Sequence, residues 1–447
     1  LPPPEIERTI WRLAARLGQA SPPRAARRER PRRSAARAGA ARRADVMPRF
    51  RHAHATHPDW RVAVDLAQAQ LDAQAAQPAF ARDGTLGIVY ATGALGERLD
   101  AIRDALAHRQ PGVRWVGAAV EGVCATGAEY VDAPALALMI CALPESEFHV
   151  FSGRAPLPGD ERAADAIESA LVHADPATPD LAELLVDLSL RTRTGRLFGG
   201  VVGGEPDEDD GQADQLAGET ISGGVSGVAF GPGVGLRSRV TQGCSPLAGE
   251  HVVSSCESHY IQSLDGRPAL DVMLDDLDVP AGARASRDGD EILRALPAER
   301  LARGLMIGFA LADAPRGFGF GDYLVRNVVG IDPENRLLAV AARPQEGDRA
   351  VFCTRDRDAA RADLIRICTE LRDELETESL RVLGAHYVSC VGRGAHLFGG
   401  TGAELQIIAH NLGEIPLVGF FANGEIAGDR LYGYTGVLTL FVEPREA

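Results

Sequence analysis

The chain of 447 residues contains no lysine; all 47 of its basic residues are arginine. Schiff-base chemistry and the phosphate-cradling P-loop both need a lysine amine, so neither is available. The seven cysteines (Cys124, Cys141, Cys244, Cys256, Cys353, Cys368, Cys390) are odd in number, widely spaced and form no C-x-x-C pair. That usage fits reduced thiols and a cytoplasmic location. No apolar run approaches the roughly 18 to 20 residues that a membrane helix needs, and the N-terminus lacks the apolar core of a secretory signal. G-x-S-x-G, H-E-x-x-H and paired catalytic carboxylates are also missing, so no residue pattern asks for an enzyme.

Charge is unevenly spread. Residues 1–46 hold twelve arginines against four acidic residues, which leaves a net −23 on the remainder of a chain whose total is −15. An acidic body repels phosphate backbones and argues against nucleic-acid binding. The first 46 residues are too poor in large apolar side chains to build a core. They read as a disordered leader, with translation from an upstream start and a genuine tail as the two explanations. The globular pattern begins at Met47.

From there an internal repeat organises the chain. LGIVYATG (86–93) reads as a buried strand, and Leu95, Leu99, Ile102 and Leu106 follow at helical spacing. RWVGAAVEG (114–122) and ALALMICAL (135–143) are two further strands. The same order recurs at AHYVSCVGRG (385–394), a helix bearing Leu405, Ile408 and Leu412, then PLVGFFANGE (416–425) and GVLTLFVEP (436–444), with Val116, Gly117 and Gly122 matching Val418, Gly419 and Gly424 at a constant offset of 302. A weaker third copy holds the helix around Leu181–Leu188, LFGGVVGG (197–204) and GGVSGVAF (223–230). The predicted class is α/β (mixed α+β), with repeated strand-helix-strand-strand units forming mixed sheets that carry helices on them. Glycines cluster where these strands end, the usual place for a ligand in open α/β sheets.

The segments FRHAHATHPDWR, RVTQGCSPLAGEHVVSSCESHYIQSLDG, HYVSCVGRG and GFFANGEI resemble the two-part FIST module, a sensory module named for F-box and intracellular signal transduction proteins. The resemblance implies an N-terminal FIST domain over 47–270 and a C-terminal one over 271–447. It also implies a cytoplasmic bacterial sensor of small ligands, with amino acids suggested for the family and haem for some members, and a signalling protein as partner. The alternatives to an amino acid or small-carboxylate sensor are a haem-binding gas sensor and an uncharacterised hydrolase or transferase.

Candidate ligand-binding residues gather near the C-terminus. Arg393 and Gly394 leave a strand toward a helix, and the guanidinium either grips a ligand carboxylate or makes a structural ion pair. Cys390 is either a small core residue or a reactive thiol. Asn423, Gly424 and Glu425 form either a tight hairpin turn or a wall where Glu425 accepts an ammonium group beside Phe420 and Phe421. Gln242, Gly243, Cys244, Arg326 and Asn327 are weaker candidates carried by the resemblance. Metal readings of His52, His54 and His57, and of Cys244, His251, Cys256 and His259, lack zinc spacing. His386, His396 and His410 are the imidazoles open to an axial haem role. The Gly-rich stretches GGVVGG, GPGVG and GFGFG do not fit the nucleotide fingerprint, and EPDEDDGQAD (205–214) reads as a solvated hairpin tip.

Overall fold

The computed structural model describes residues 49–159, 165–203, 214–297, 304–310 and 323–445. The Arg-rich leader, GFGFG and most of EPDEDDGQAD lie outside the described residues. Two compact units divide the chain discontinuously. The described residues of 246–310 and 326–354 make one; those of 49–245, 323–325 and 355–445 make the other.

The larger unit holds three six-stranded sheets with one strand plan. In the first, Leu86–Thr92 and Arg114–Val120 run parallel, joined through the helix Leu99–Arg109, and Ala135–Cys141 returns antiparallel beside the former. The parallel pairs Ser169–Ala174 with Arg196–Val201, and Leu380–Cys390 with Leu417–Ala422, found the other two sheets. Their antiparallel neighbours are Val225–Phe230 and Thr435–Pro444. Strands of continuous apolar sequence, buried along their whole length, are what a sheet covered on both faces requires.

Each sheet is completed by a hairpin from elsewhere in the chain. The hairpin Gly122–Ala125/Ala128–Val131 adds to Leu417–Ala422, and Asp214–Ala217/Glu219–Ser222 adds to Arg114–Val120. Glu425–Ala427/Arg430–Tyr432 adds to Arg196–Val201. Asn423 and Gly424 are therefore not a hairpin turn; they form the bend where the chain leaves one sheet for another.

The inner faces of the three sheets share one core that includes Tyr90, Leu171, Phe198, Val388, Phe420 and Phe441. At its centre the Tyr90 hydroxyl meets His173 Nε2 at 2.8 Å and His386 Nε2 at 2.7 Å. Burial pulls both imidazoles down to about 3, so they stay neutral. The outer face of the third sheet packs under the helices Arg357–Thr377 and Ala403–Leu412 through Ala385, Tyr387, Leu364, Leu405 and Ile408.

The smaller unit has its own core, in which Ile261, Leu264, Met273, Ile307, Leu338 and Phe352 pack between strands and the helix Ala269–Asp276. Within it His251 bridges Asp265 (Nδ1, 2.6 Å) and Asp276 (Nε2, 2.9 Å), an ion-paired link.

One glycine recurs at the same point of every parallel pair. Gly117, Gly199 and Gly419 face Val89, Val172 and Tyr387, and a Cβ there would overlap the facing carbonyl oxygen. The close approach leaves no room for any side chain. Gly419→Ala is expected to lower the melting temperature steeply, whereas Gly400→Ala, with open space around its Cα, leaves the thermal melt almost unchanged.

Candidate functional site

The third sheet ends in two groups of polar side chains, one on each face, because alternate residues of a strand point to opposite sides. On the outer face Tyr387 and Ser389 share their parity with the core residue Ala385. Glu404, in the first turn of the helix Ala403–Leu412, reaches down between them. Its Oε1 accepts from Tyr387 Oη (2.9 Å) and Arg393 Nε (2.8 Å), and its Oε2 accepts from Ser389 Oγ (2.8 Å). Arg393 is 0% exposed and lies over the Phe398 ring, its carbon Cζ 5.1 Å from the centroid. Burial works against its charge, and Glu404 more than restores it, so the guanidinium is held firmly ionised. Nη1 donates to the Thr241 carbonyl at 3.3 Å, while Nη2 has no partner.

On the inner face stand Cys390, Thr435 and Gln242, whose parity matches core residues Val388, Val437 and Val240, and Glu425 meets them from the strand Glu425–Ala427 of the second sheet. Thr435 donates its backbone N–H (3.0 Å) and its hydroxyl (2.7 Å) to Glu425 Oε2. Glu425 Oε1, fully buried, has no hydrogen-bond partner, and the Cys390 thiol is its near polar neighbour. Burial raises the Glu425 carboxyl to about 7, against the opposing pull of Thr435, Cys390 and Arg393. Burial also pushes the Cys390 thiol well above its ordinary value, and the carboxyl of Glu425 adds to the effect. At rest Cys390 is a protonated, inert thiol.

The sequence-derived candidates divide accordingly. Cys390 and Glu425 come together, and Arg393 lies within electrostatic reach of Glu425 while its own ion pair is with Glu404. Gly394 backs onto the Phe421 ring, 3.4 Å from where a Cβ would stand. Phe420 points the other way, into the central core, with its ring 4.7 Å from that of Tyr90. Asn423 donates to Glu121, its counterpart at the 302 offset, at 2.7 Å. Thr241 and Gly243 flank Arg393, so the Gln-Gly-Cys segment and the Gly-Arg-Gly turn meet, although 149 residues separate Gly243 from Gly392.

Glu404 and Thr435 escaped the sequence reading. A signal existed for Glu404, which sits next to Leu405 and four residues before Ile408, on the apolar stripe of its helix. A carboxylate on such a stripe needs a buried cationic partner. Among the other candidates, His54 Nδ1 meets Tyr130 Oη at 2.8 Å and His386 is engaged by Tyr90. His396 and His410 are exposed on their helices, and Arg326 and Asn327 lie on the strand Tyr323–Asp332. Among the described residues no group of three His, Cys, Asp or Glu side chains is arranged to hold a metal ion, and no helix is long and apolar enough to cross a membrane.

Two family models match this chain: the FIST N domain over residues 85–267 and the FIST C domain over 269–428. The chain belongs to the FIST family. Its relatives include an uncharacterised protein found in two strains of Mycobacterium tuberculosis, 30% identical over 339 residues, which span 73% of this chain and 83% of the relative. Another is an uncharacterised protein of Mycobacterium bovis, 33% identical over 239 residues, 51% of this chain and 56% of the relative. FIST domains are associated with small-ligand sensing and signal transduction. The two FIST domain matches meet at 267/269, inside the smaller compact unit, so the compact units do not follow the domain names.

Because the folded Glu425 carboxyl titrates near 7 and the unfolded one near 4.5, the folded protein holds a proton that the unfolded chain has lost. The stability this proton confers is complete below about pH 4.5 and is lost as pH rises to about 7. Glu425→Gln should flatten that slope and raise the melting temperature at pH 8 more than at pH 5. Parallel slopes for wild type and variant would show that Glu425 is ionised in the folded state.

Proposed function

We propose that this protein is a small-ligand-binding sensory protein, and that its ligand is an amino acid or another small carboxylate whose acid group is received by Arg393. The observation that carries this reading is the Arg393 Nη2 atom, a charged donor sealed from solvent without an acceptor. A guanidinium that has already spent Nε and Nη1 on Glu404 and Thr241 is locked in orientation. Its remaining N–H groups are aimed in advance, which lowers the cost of ordering them around an anion. The place agrees with the general preference of ligands for the carboxyl ends of strands in open α/β sheets. Glu404 keeps the resting site neutral, so a monoanionic ligand arrives with one net charge for which Arg393 provides the hydrogen bonds.

The test separates binding from folding. Arg393→Ala leaves Glu404 buried without its cation and should lower stability as well as affinity. The double variant Arg393→Ala/Glu404→Gln removes both charges and is expected to recover much of the melting temperature without recovering binding. In calorimetric titrations with small carboxylates and a panel of amino acids, the affinity should fall by about 10- to 150-fold, the equivalent of roughly 1.5 to 3 kcal/mol for a hydrogen bond to a charged group. Arg393→Lys should restore little, because an ammonium cannot reproduce the planar fork. Wild-type affinity in the folded double variant would overturn the assignment. Native mass spectrometry of the purified protein identifies which small acid it carries.

A further inference from the structure

Gln242 and Thr435 are direct cross-strand partners on the inner face. Side chains so placed start about 4.5–5.5 Å apart at Cβ. The Gln242 amide is oriented by its surroundings: Nε2 donates to the Tyr323 carbonyl at 2.6 Å, so the reverse orientation would set two acceptors against each other. Its backbone N–H is held by Asp363 Oδ2 at 2.6 Å, which fixes the strand end as well. Gln242 Oε1 is thereby committed as an acceptor, and it has no donor. Across Thr435 lies Glu425, whose Oε2 takes both Thr435 donors and whose Oε1 has no N–H or O–H donor, only the weakly donating Cys390 thiol standing close to the carboxyl. Gln242 and Glu425 are each 0% exposed. Two buried oxygens, neither with an N–H or O–H donor from the protein, thus flank one threonine.

Buried polar atoms are almost always paired, so two unpaired acceptors on one short row call for a common donor. Two oxygens are far too few for a calcium or magnesium ion, which takes six or more. A primary ammonium group suits them better: it offers three N–H donors from one atom, and its positive charge favours the ionised form of Glu425, in which Oε1 is an acceptor. We infer that Gln242 and Glu425 form an amine-recognition subsite, in which a primary amine of the ligand donates one N–H to each Oε1. The subsite rests on the reading that this sheet end takes a small ligand, and it adds the chemistry of the ligand's second end. It also makes Gln242 a specificity-determining residue. A primary amine fills the row, a trimethylated one has no N–H to give, and a plain carboxylate leaves both oxygens unsatisfied.

Calorimetric titration at pH 7 with four probes tests this: methylamine, tetramethylammonium, acetate and glycine, against wild type, Gln242→Met and Glu425→Gln, each verified as folded by its thermal melt. Methylamine and glycine are expected to bind wild type and to lose at least tenfold in affinity in either variant. Acetate should be indifferent to Gln242→Met, and tetramethylammonium should not bind. If Gln242→Met fails to fold, the Glu425→Gln arm decides alone. Acetate binding without methylamine binding would overturn the amine subsite and leave the carboxylate reading standing. Equal binding of methylamine to wild type and both variants would overturn it too, as would equal binding of tetramethylammonium and methylamine. If none of acetate, methylamine and glycine binds wild type, the oxygens are served by buried water and both readings fall.

Discussion

The exchange of hairpins is the constraint on which the larger unit depends. Each parallel pair exposes one edge, and an unpaired edge carries a row of unsatisfied N–H and C=O groups. Here that edge is covered by a hairpin donated from another part of the chain, and the donation closes in a circle: the first sheet receives from the second segment, the second from the third and the third from the first. None of the three sheets is complete alone. The arrangement turns Glu425 away from the strand that precedes it and onto a different sheet, where its side chain faces inward beside Cys390 and Thr435. The position of the candidate site is a by-product of the way the edges are satisfied.

Burial then sets the chemistry. Three donors converge on Glu404, so its pairing with Arg393 is hydrogen-bonded as well as electrostatic, the condition under which a buried ion pair is tolerated. Burial drives the Glu425 carboxyl upward toward neutrality, and the two donors of Thr435, the Cys390 thiol and the charge of Arg393 offset it only in part. Two glutamates that reach the end of the third sheet, one from a helix and one from a neighbouring sheet, therefore play different parts. One is a fixed anion that aims a guanidinium. The other is a carboxyl with a free oxygen. Cys390, between strand and turn, takes the character of its neighbours and stays protonated.

Much of this was legible without coordinates. The alternation of glycine-ended apolar strands with helices at 3.6-residue spacing identified the parallel pairs, whereas the third strand, expected as a hairpin neighbour of the second, lies beside the first because the hairpin that follows the second strand joins another sheet. The 302-residue offset aligned Glu121 with Asn423, and these two residues touch. The Cys390–Arg393 turn was marked as a site by composition and place. Less legible was Phe420, expected to wall a pocket with Phe421. Neighbours in a strand point to opposite faces, so at most one of them can face any one group, and Phe420 faces the shared core. The Asn-Gly pair suggested a hairpin turn, because local turn chemistry carries no information on which sheet the next strand will join.

Sequence by itself determined the class of fold, the strands that pair in parallel and the family, and it singled out Arg393 and Glu425 as candidates near one sheet end. These follow from local rules: period, glycine, and charge inside apolar runs. Tertiary structure alone decided which side chains each of them meets. Glu404 comes to Arg393 from a helix, Thr435 comes to Glu425 from a strand of another sheet, and Gln242 arrives from a strand 193 residues before Thr435. Those partners are set by the order in which sheet edges are covered, a property of the whole chain that no stretch of it encodes locally.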